Sequence, residues 1–170
     1  MMYGLPAVTV PEYLNQGLQP WRSAAPTIDV TAEAIAWSVS GEDDRSVAFA
    51  ARLMESGVQV RIIDKETELS GKSLSRGSVF VTAMDNPRLD NLTDLITAEA
   101  EHLQLTVKSI GSGYGAGDLP DWGGSHFRLL TRPQIAILSQ AGFSSYDVGS
   151  SWWAIDTHLG TVSYTHLRAH

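Results

Sequence analysis

Four neighbouring polar residues, Ser144, Ser145, Tyr146 and Asp147, fall between an apolar run at 133–138 and a helical pattern carrying Trp152 and Trp153. In an open parallel sheet, ligands collect beyond the carboxyl ends of the strands, and a loop at that place can hold a polar ligand by hydrogen bonds. These four residues are therefore the candidate ligand loop. The plainer reading is that Asp147 or Ser150 caps the following helix. A serine nucleophile is not indicated, since the Gly-x-Ser-x-Gly elbow is absent and no base is paired with any serine.

The other candidates reduce to structure. Gly111-Ser112-Gly113-Tyr114-Gly115-Ala116 follows a predicted strand, but Asp118-Leu119-Pro120-Asp121 comes next. A dinucleotide fingerprint needs a helix there to receive the pyrophosphate, so the segment reads as a loop. Gly71-Lys72-Ser73 resembles the end of a phosphate-binding loop, yet Glu66 stands where the first glycine belongs. Asn91-Leu92-Thr93 is formally a glycosylation acceptor, and Asn91 reads more simply as a helix cap, with Asp94 completing a capping pair. His102, His126 and His158 lack a second ligand at zinc-binding spacing and read as surface or packing residues. Asp118 and Asp121 could face a hard cation but bring no further oxygen ligands, so turn formation is the plainer role. No residue is assigned as catalytic, cofactor-binding or metal-ligating.

The elements around these residues alternate. Ala34–Val39 reads as a buried strand, and Gly41-Glu42-Asp43-Asp44 as a turn leading into a helix with its apolar stripe at Val47, Ala50, Ala51 and Met54. Val58–Ile62 and Ser78–Thr82 read as strands. Leu92, Leu95, Ile96 and Leu103 line one helical face, and Leu105–Ile110 is a further strand. A Gly-rich loop from Gly111 to about Arg132 leads to a buried strand at Pro133–Leu138 and a helix marked by Trp152, Ile155 and Leu159, stopped at Gly160. The expected fold class is α/β, with alternating βαβ units and a mainly parallel sheet, truncated at the C-terminus. Residues 1–33, with four prolines, form an extended connector lying on a neighbouring domain.

Composition narrows the partners. The chain has 170 residues, a formal charge of −7 and no cysteine. Scattered Lys and Arg on an acidic chain argue against a nucleic-acid partner. Thiol chemistry and disulfides are excluded within these residues, and no apolar run is long enough for a membrane span. Met1-Met2-Tyr3-Gly4-Leu5-Pro6 lacks the basic start of a signal peptide.

Three segments carry a resemblance: Gly123-Gly124-Ser125-His126-Phe127-Arg128-Leu129-Leu130, Pro133–Leu138, and Gly149-Ser150-Ser151-Trp152-Trp153-Ala154-Ile155-Asp156. They are similar to the start of the class I glutamine amidotransferase-like domain attached to bacterial zinc carboxypeptidases of the carboxypeptidase A superfamily. Ala36-Trp37-Ser38-Val39, Arg76–Val81 and Asp118–Asp121 resemble the α/β segment preceding that domain. The resemblance implies residues 34–132 as an accessory α/β region and 133–161 as the first strand and helix of the amidotransferase-like domain. It implies a periplasmic or secreted parent that hydrolyses peptide bonds with a zinc-activated water. The zinc is expected in the parent, outside this fragment, and the partner is an upstream catalytic domain of the same chain. Residues 162–170, Val162-Ser163-Tyr164-Thr165-His166-Leu167-Arg168-Ala169-His170, resemble translated sequencing-adapter DNA, a non-native tail at the broken end of a metagenomic gene. The alternative is a non-enzymatic ligand- or glycan-binding module, such as the middle domain of a β-galactosidase.

Overall fold

The computed structural model describes residues 25–160 apart from 32, 140 and 141. Most of the expected connector and all of the adapter-like tail lie outside the described residues. The end of the connector, Thr27–Asp29, lies along this domain itself: Asp29 N–H donates to Val107 O at 3.2 Å, and Val107 N–H to Thr27 O at 2.9 Å.

From the amino end run β1 (Ala36–Val39), α1 (Arg45–Glu55), β2 (Arg61–Ile63), β3 (Thr67–Leu69), β4 (Lys72–Leu74) and β5 (Val79–Thr82). Then follow α2 (Leu92–Leu103), β6 (Val107–Ile110), β7 (Phe127–Leu129) and α3 (Ser145–Trp153), which continues as a π-helical segment, Ala154–Leu159. The main sheet has the order β6-β1-β5-β2-β7, and every neighbouring pair is antiparallel. The expected mainly parallel sheet is overturned. Two of the helices do join strands of like direction, β1 to β2 through α1 and β5 to β6 through α2. However, β5 is inserted between β1 and β2, and β1 between β5 and β6. Two interleaved split βαβ units of this kind make the ferredoxin-like arrangement, extended here by β7 at one edge.

Side-chain alternation divides the sheet into two covered faces. Trp37, Val39, Val79, Val81 and Val107 pack with Phe49, Leu53, Leu92 and Ile96 in the layer under the helices. Ala36, Phe80, Ile110 and Ile63 face the other way, where Leu69, Leu74 and Phe127 cover them and Trp122 packs alongside. The β3–β4 hairpin supplies that cover. Its two-residue turn, Ser70-Gly71, has φ of 54° and 70°, the pair of positive values that matches a type I′ turn to the strand twist. Ser70 keeps this conformation while its Oγ accepts N–H bonds from Gly111 at 3.2 Å and Ser112 at 2.9 Å.

The helices form where the patterns place them, with one shift of face. In α1 the buried positions include Ser46, Phe49, Ala50 and Leu53, whereas Val47 of the expected stripe is 59% exposed. Both stripes share Ala50, and the one with Phe49 and Leu53 removes more apolar area from water. In α2, Leu92, Ile96 and Ala100 are buried. Asn91 stands at its N-cap without a side-chain cap bond, so the expected capping pair is not made. Pro133–Leu138 is not a buried strand: Leu138 is 62% exposed, and β7, inside the expected loop, takes the sheet edge beside β2.

Candidate functional site

The polar side chains gather in two settings. The first is a cleft of about 150 Å³ between the β1–α1 turn, strand β4 with its turn into β5, and strand β6. Its walls are Ser38, Ser40, Glu42, Ser73, Leu74, Ser75, Ser78 and Lys108. Ser38 and Lys108 sit opposite each other in the β1–β6 register, so both belong to the face away from the helices. Ser75 Oγ lies 3.4 Å from Ser40 Oγ and 3.2 Å from Ser78 Oγ, forming a short hydroxyl chain along the wall. Its two ends are fixed by the turn: Gly41 N–H donates to Ser78 Oγ at 3.3 Å, and Glu42 N–H donates to Ser40 Oγ at 3.3 Å. Lys108 Nζ donates to Ser73 O at 2.9 Å.

The turn can approach this closely because Gly41 has no side chain. A Cβ on Gly41 would overlap the Gly77 carbonyl group and come within 2.5 Å of the Ser78 nitrogen. Gly77 itself has a φ of 86°, which glycine adopts without strain.

The second setting is a series of ion pairs that tie elements together. Arg61 on β2 grips Asp85 with two bonds, Nε to Oδ2 at 2.7 Å and Nη2 to Oδ1 at 2.8 Å. It also donates to Phe127 O at 2.9 Å, while Thr82 Oγ1 donates to Asp85 at 2.7 Å. Asp29 accepts from Lys72 Nζ at 2.8 Å and Ser109 Oγ at 2.6 Å, which pins the end of the connector to β4 and β6. Asp64, just after β2, lies 2.7 Å from His126 Nδ1 and 2.7 Å from Arg128 Nε, which holds β7 against β2.

These contacts set the protonation of the acids. The Arg61 hydrogen bond holds Asp85 below the usual carboxylate range, and Lys72 does the same for Asp29. Asp64 is lowered first by the His126 hydrogen bond and then by the charge of Arg128. Arg45 lowers Asp43. Because Asp64 is ionised and can only accept, the Nδ1 of His126 carries the proton between them.

The candidate ligand loop lies elsewhere. Ser144 is the N-cap of α3, its Oγ accepting from Asp147 N–H at 3.5 Å, while Ser145, Tyr146 and Asp147 form the exposed first turn. The strand-end position assumed for this loop does not exist, because the sheet is antiparallel and Pro133–Leu138 is outside it. Ser144 takes the capping role weighed for Asp147 and Ser150.

Gly111–Ala116 packs as a tight loop on the hairpin. A side chain on Gly113 would strike the Trp122 ring, and one on Gly115 would strike Leu119 and Pro120. Asp121 accepts from Gly115 N–H at 2.6 Å, a turn role. His102 lies in the last turn of α2, and His158 lies in the π-helical segment. The pairing of His126 with Asp64 and the serine cleft are not expected from the sequence. One local signal does announce the hairpin that walls the cleft: the Ser70-Gly71 dipeptide between short stretches with alternating apolar positions.

No family model, curated protein or solved structure matches this chain. Zinc, which the resemblance expects in the parent protein, does not fit the residues described. His126 contacts one oxygen of Asp64 at 2.7 Å and Arg128 contacts the other at 2.7 Å, so both oxygens of that carboxylate already have protein partners. Among the described residues, no group of three or more His, Cys, Asp or Glu could hold a metal ion. No helix among them is long and apolar enough to cross a membrane.

Proposed function

We propose that this chain is a non-catalytic accessory region of a zinc metallocarboxypeptidase-like protein, positioned C-terminal to the domain that carries the metal. The parent hydrolyses peptide bonds with a zinc-activated water in the periplasm or outside the cell, and this region serves domain packing and orientation. The placement beside a peptidase rests on the resemblance of Ala36–Val39, Arg76–Val81 and Asp118–Asp121 to that family's accessory segment.

The structural observation that supports the non-catalytic reading is the pairing of Asp29, Asp64 and Asp85 with basic side chains of other elements at 2.7–2.8 Å. A general acid or base works best with a pKa near the operating pH. Asp29, Asp43, Asp64 and Asp85 are all moved the other way, each by a basic partner of its own fold. Asp29, Asp64 and Asp85 tie strands and turns together, while Asp43 pairs with Arg45 at the start of α1. Such rigid ties suit a region that holds neighbouring parts of a longer chain in place.

Recovery of the flanking reading frames by long-read sequencing tests the placement. An upstream frame encoding His-x-x-Glu and a distal zinc-ligating His is the expected result. A different catalytic domain upstream would refute it.

A further inference from the structure

We propose that the serine-lined cleft binds a small zwitterion, a free α-amino acid, with Lys108 and the one free proton of the Ser40–Ser75–Ser78 hydroxyl chain meeting its carboxylate and Glu42 meeting its ammonium group. This goes beyond the accessory role and assigns a ligand to a cleft that role does not use.

Size restricts the ligand first. About 150 Å³ is room for about five water-sized groups. Pockets for drug-sized ligands run from about 300 to 1,000 Å³. The part of a ligand that lies within the cleft therefore amounts to about five non-hydrogen atoms.

Hydrogen bonding restricts the chemistry next. Three hydroxyls in a chain carry three protons, and the two links between them use two. One proton is left over for a ligand. Ser40 and Ser78 already accept from backbone N–H groups, which further biases their hydroxyls toward donation. The Lys108 ammonium has three N–H donors, and Ser73 O takes one. The inner wall thus presents surplus donors beside a positive charge, the environment that a carboxylate completes with charge-assisted bonds.

Charge then separates a zwitterion from a simple anion. Glu42 lines the same cleft at its exposed side and would repel a ligand that is only negative. Among the described residues, neither Glu42 nor Lys108 takes part in an ion pair. One unpaired charge of each sign in so small a cleft matches a ligand with both charges and no net charge. Leu74 supplies the apolar part of the wall and meets the carbon skeleton.

The test is a titration of the isotope-labelled full chain with glycine, followed by amide resonances, with acetate as the anion-only control. Glycine should shift the amides of Gly41, Ser75 and Ser78 saturably, and acetate should bind about tenfold more weakly. Lys108→Met should weaken glycine binding about tenfold or more. Glu42→Gln should bring glycine down to the level of acetate. Ser75→Ala keeps both charges and breaks the hydroxyl chain, so it carries the test if Lys108→Met disturbs the fold; it should still weaken glycine measurably. Absence of saturable shifts at these amides would overturn the proposal. So would acetate binding as tightly as glycine, or glycine binding unchanged in Ser75→Ala and in a folded Lys108→Met.

Discussion

Replacing Gly41 by alanine should destabilise the protein by about 3 kcal/mol or more, the upper end of what overpacking costs. The new methyl would overlap the Gly77 carbonyl group and crowd the Ser78 nitrogen, and both are backbone. No rotamer change can relieve that contact, so the β1–α1 turn has to move. Its movement breaks the Gly41 N–H bond to Ser78 Oγ and separates Ser40 from Ser75. Gly123→Ala is the matched control, since its Cβ would meet nothing within 4 Å and Gly123 is not at positive φ. That change should stay within about 0.5 kcal/mol. Urea unfolding of the two variants checks the difference, and equal midpoints would mean the two turns are not in contact.

Phe80→Ala should cost about 3–5 kcal/mol, because it removes a fully buried ring and leaves a cavity. Phe80 lies on the face away from the helices, with its ring centre 5.0 Å from Phe127 and 6.2 Å from Trp122. It is the point where the sheet, the edge strand β7 and the loop after β6 meet. For a chain of this size the melting temperature falls by about 2–4 °C per kcal/mol, so the expected drop is roughly 6–20 °C. Phe80→Leu should lose much less. A Phe80→Ala melting curve within a degree or two of the parent protein would mean that the layer formed by the hairpin and Trp122 does not cover this face.

That second layer also explains what could and could not be read from the residues. The helices α1 and α2 and the strands β1, β5 and β6 are legible, because each apolar run or helical stripe buries itself locally. The pairing of the strands is not. Ala36-Trp37-Ser38-Val39 and Val79-Phe80-Val81-Thr82 are buried at every position, the pattern usually given by parallel strands covered on both faces. Here an antiparallel sheet gives the same pattern, because helices cover one face and the β3–β4 hairpin with Trp122 covers the other. The α1 and α2 crossovers are present, but β2 to β5 follow one another with no helix between them, and nothing local to β1 or β2 reports that β5 is inserted between them.

The polar sites follow the same logic. A capped helix start in this segment is legible from local sequence, although the cap falls on Ser144 and not on Asp147 or Ser150. The serine cleft draws on Ser40, Ser75 and Lys108, and the His126–Asp64 tie spans 62 positions. Such constellations exist only once the crossovers have brought distant turns together. Val47 against Phe49 is the smaller case: two overlapping helical stripes compete, and only the packing partner decides which face turns inward.

Zinc content of the purified chain tests the accessory account most directly. After equilibration with excess zinc and removal of the loosely held ion, the account predicts far less than one zinc per chain and no release of C-terminal residues from peptide substrates. Stoichiometric zinc retained by the chain, together with peptide hydrolysis that a chelator abolishes, would contradict it.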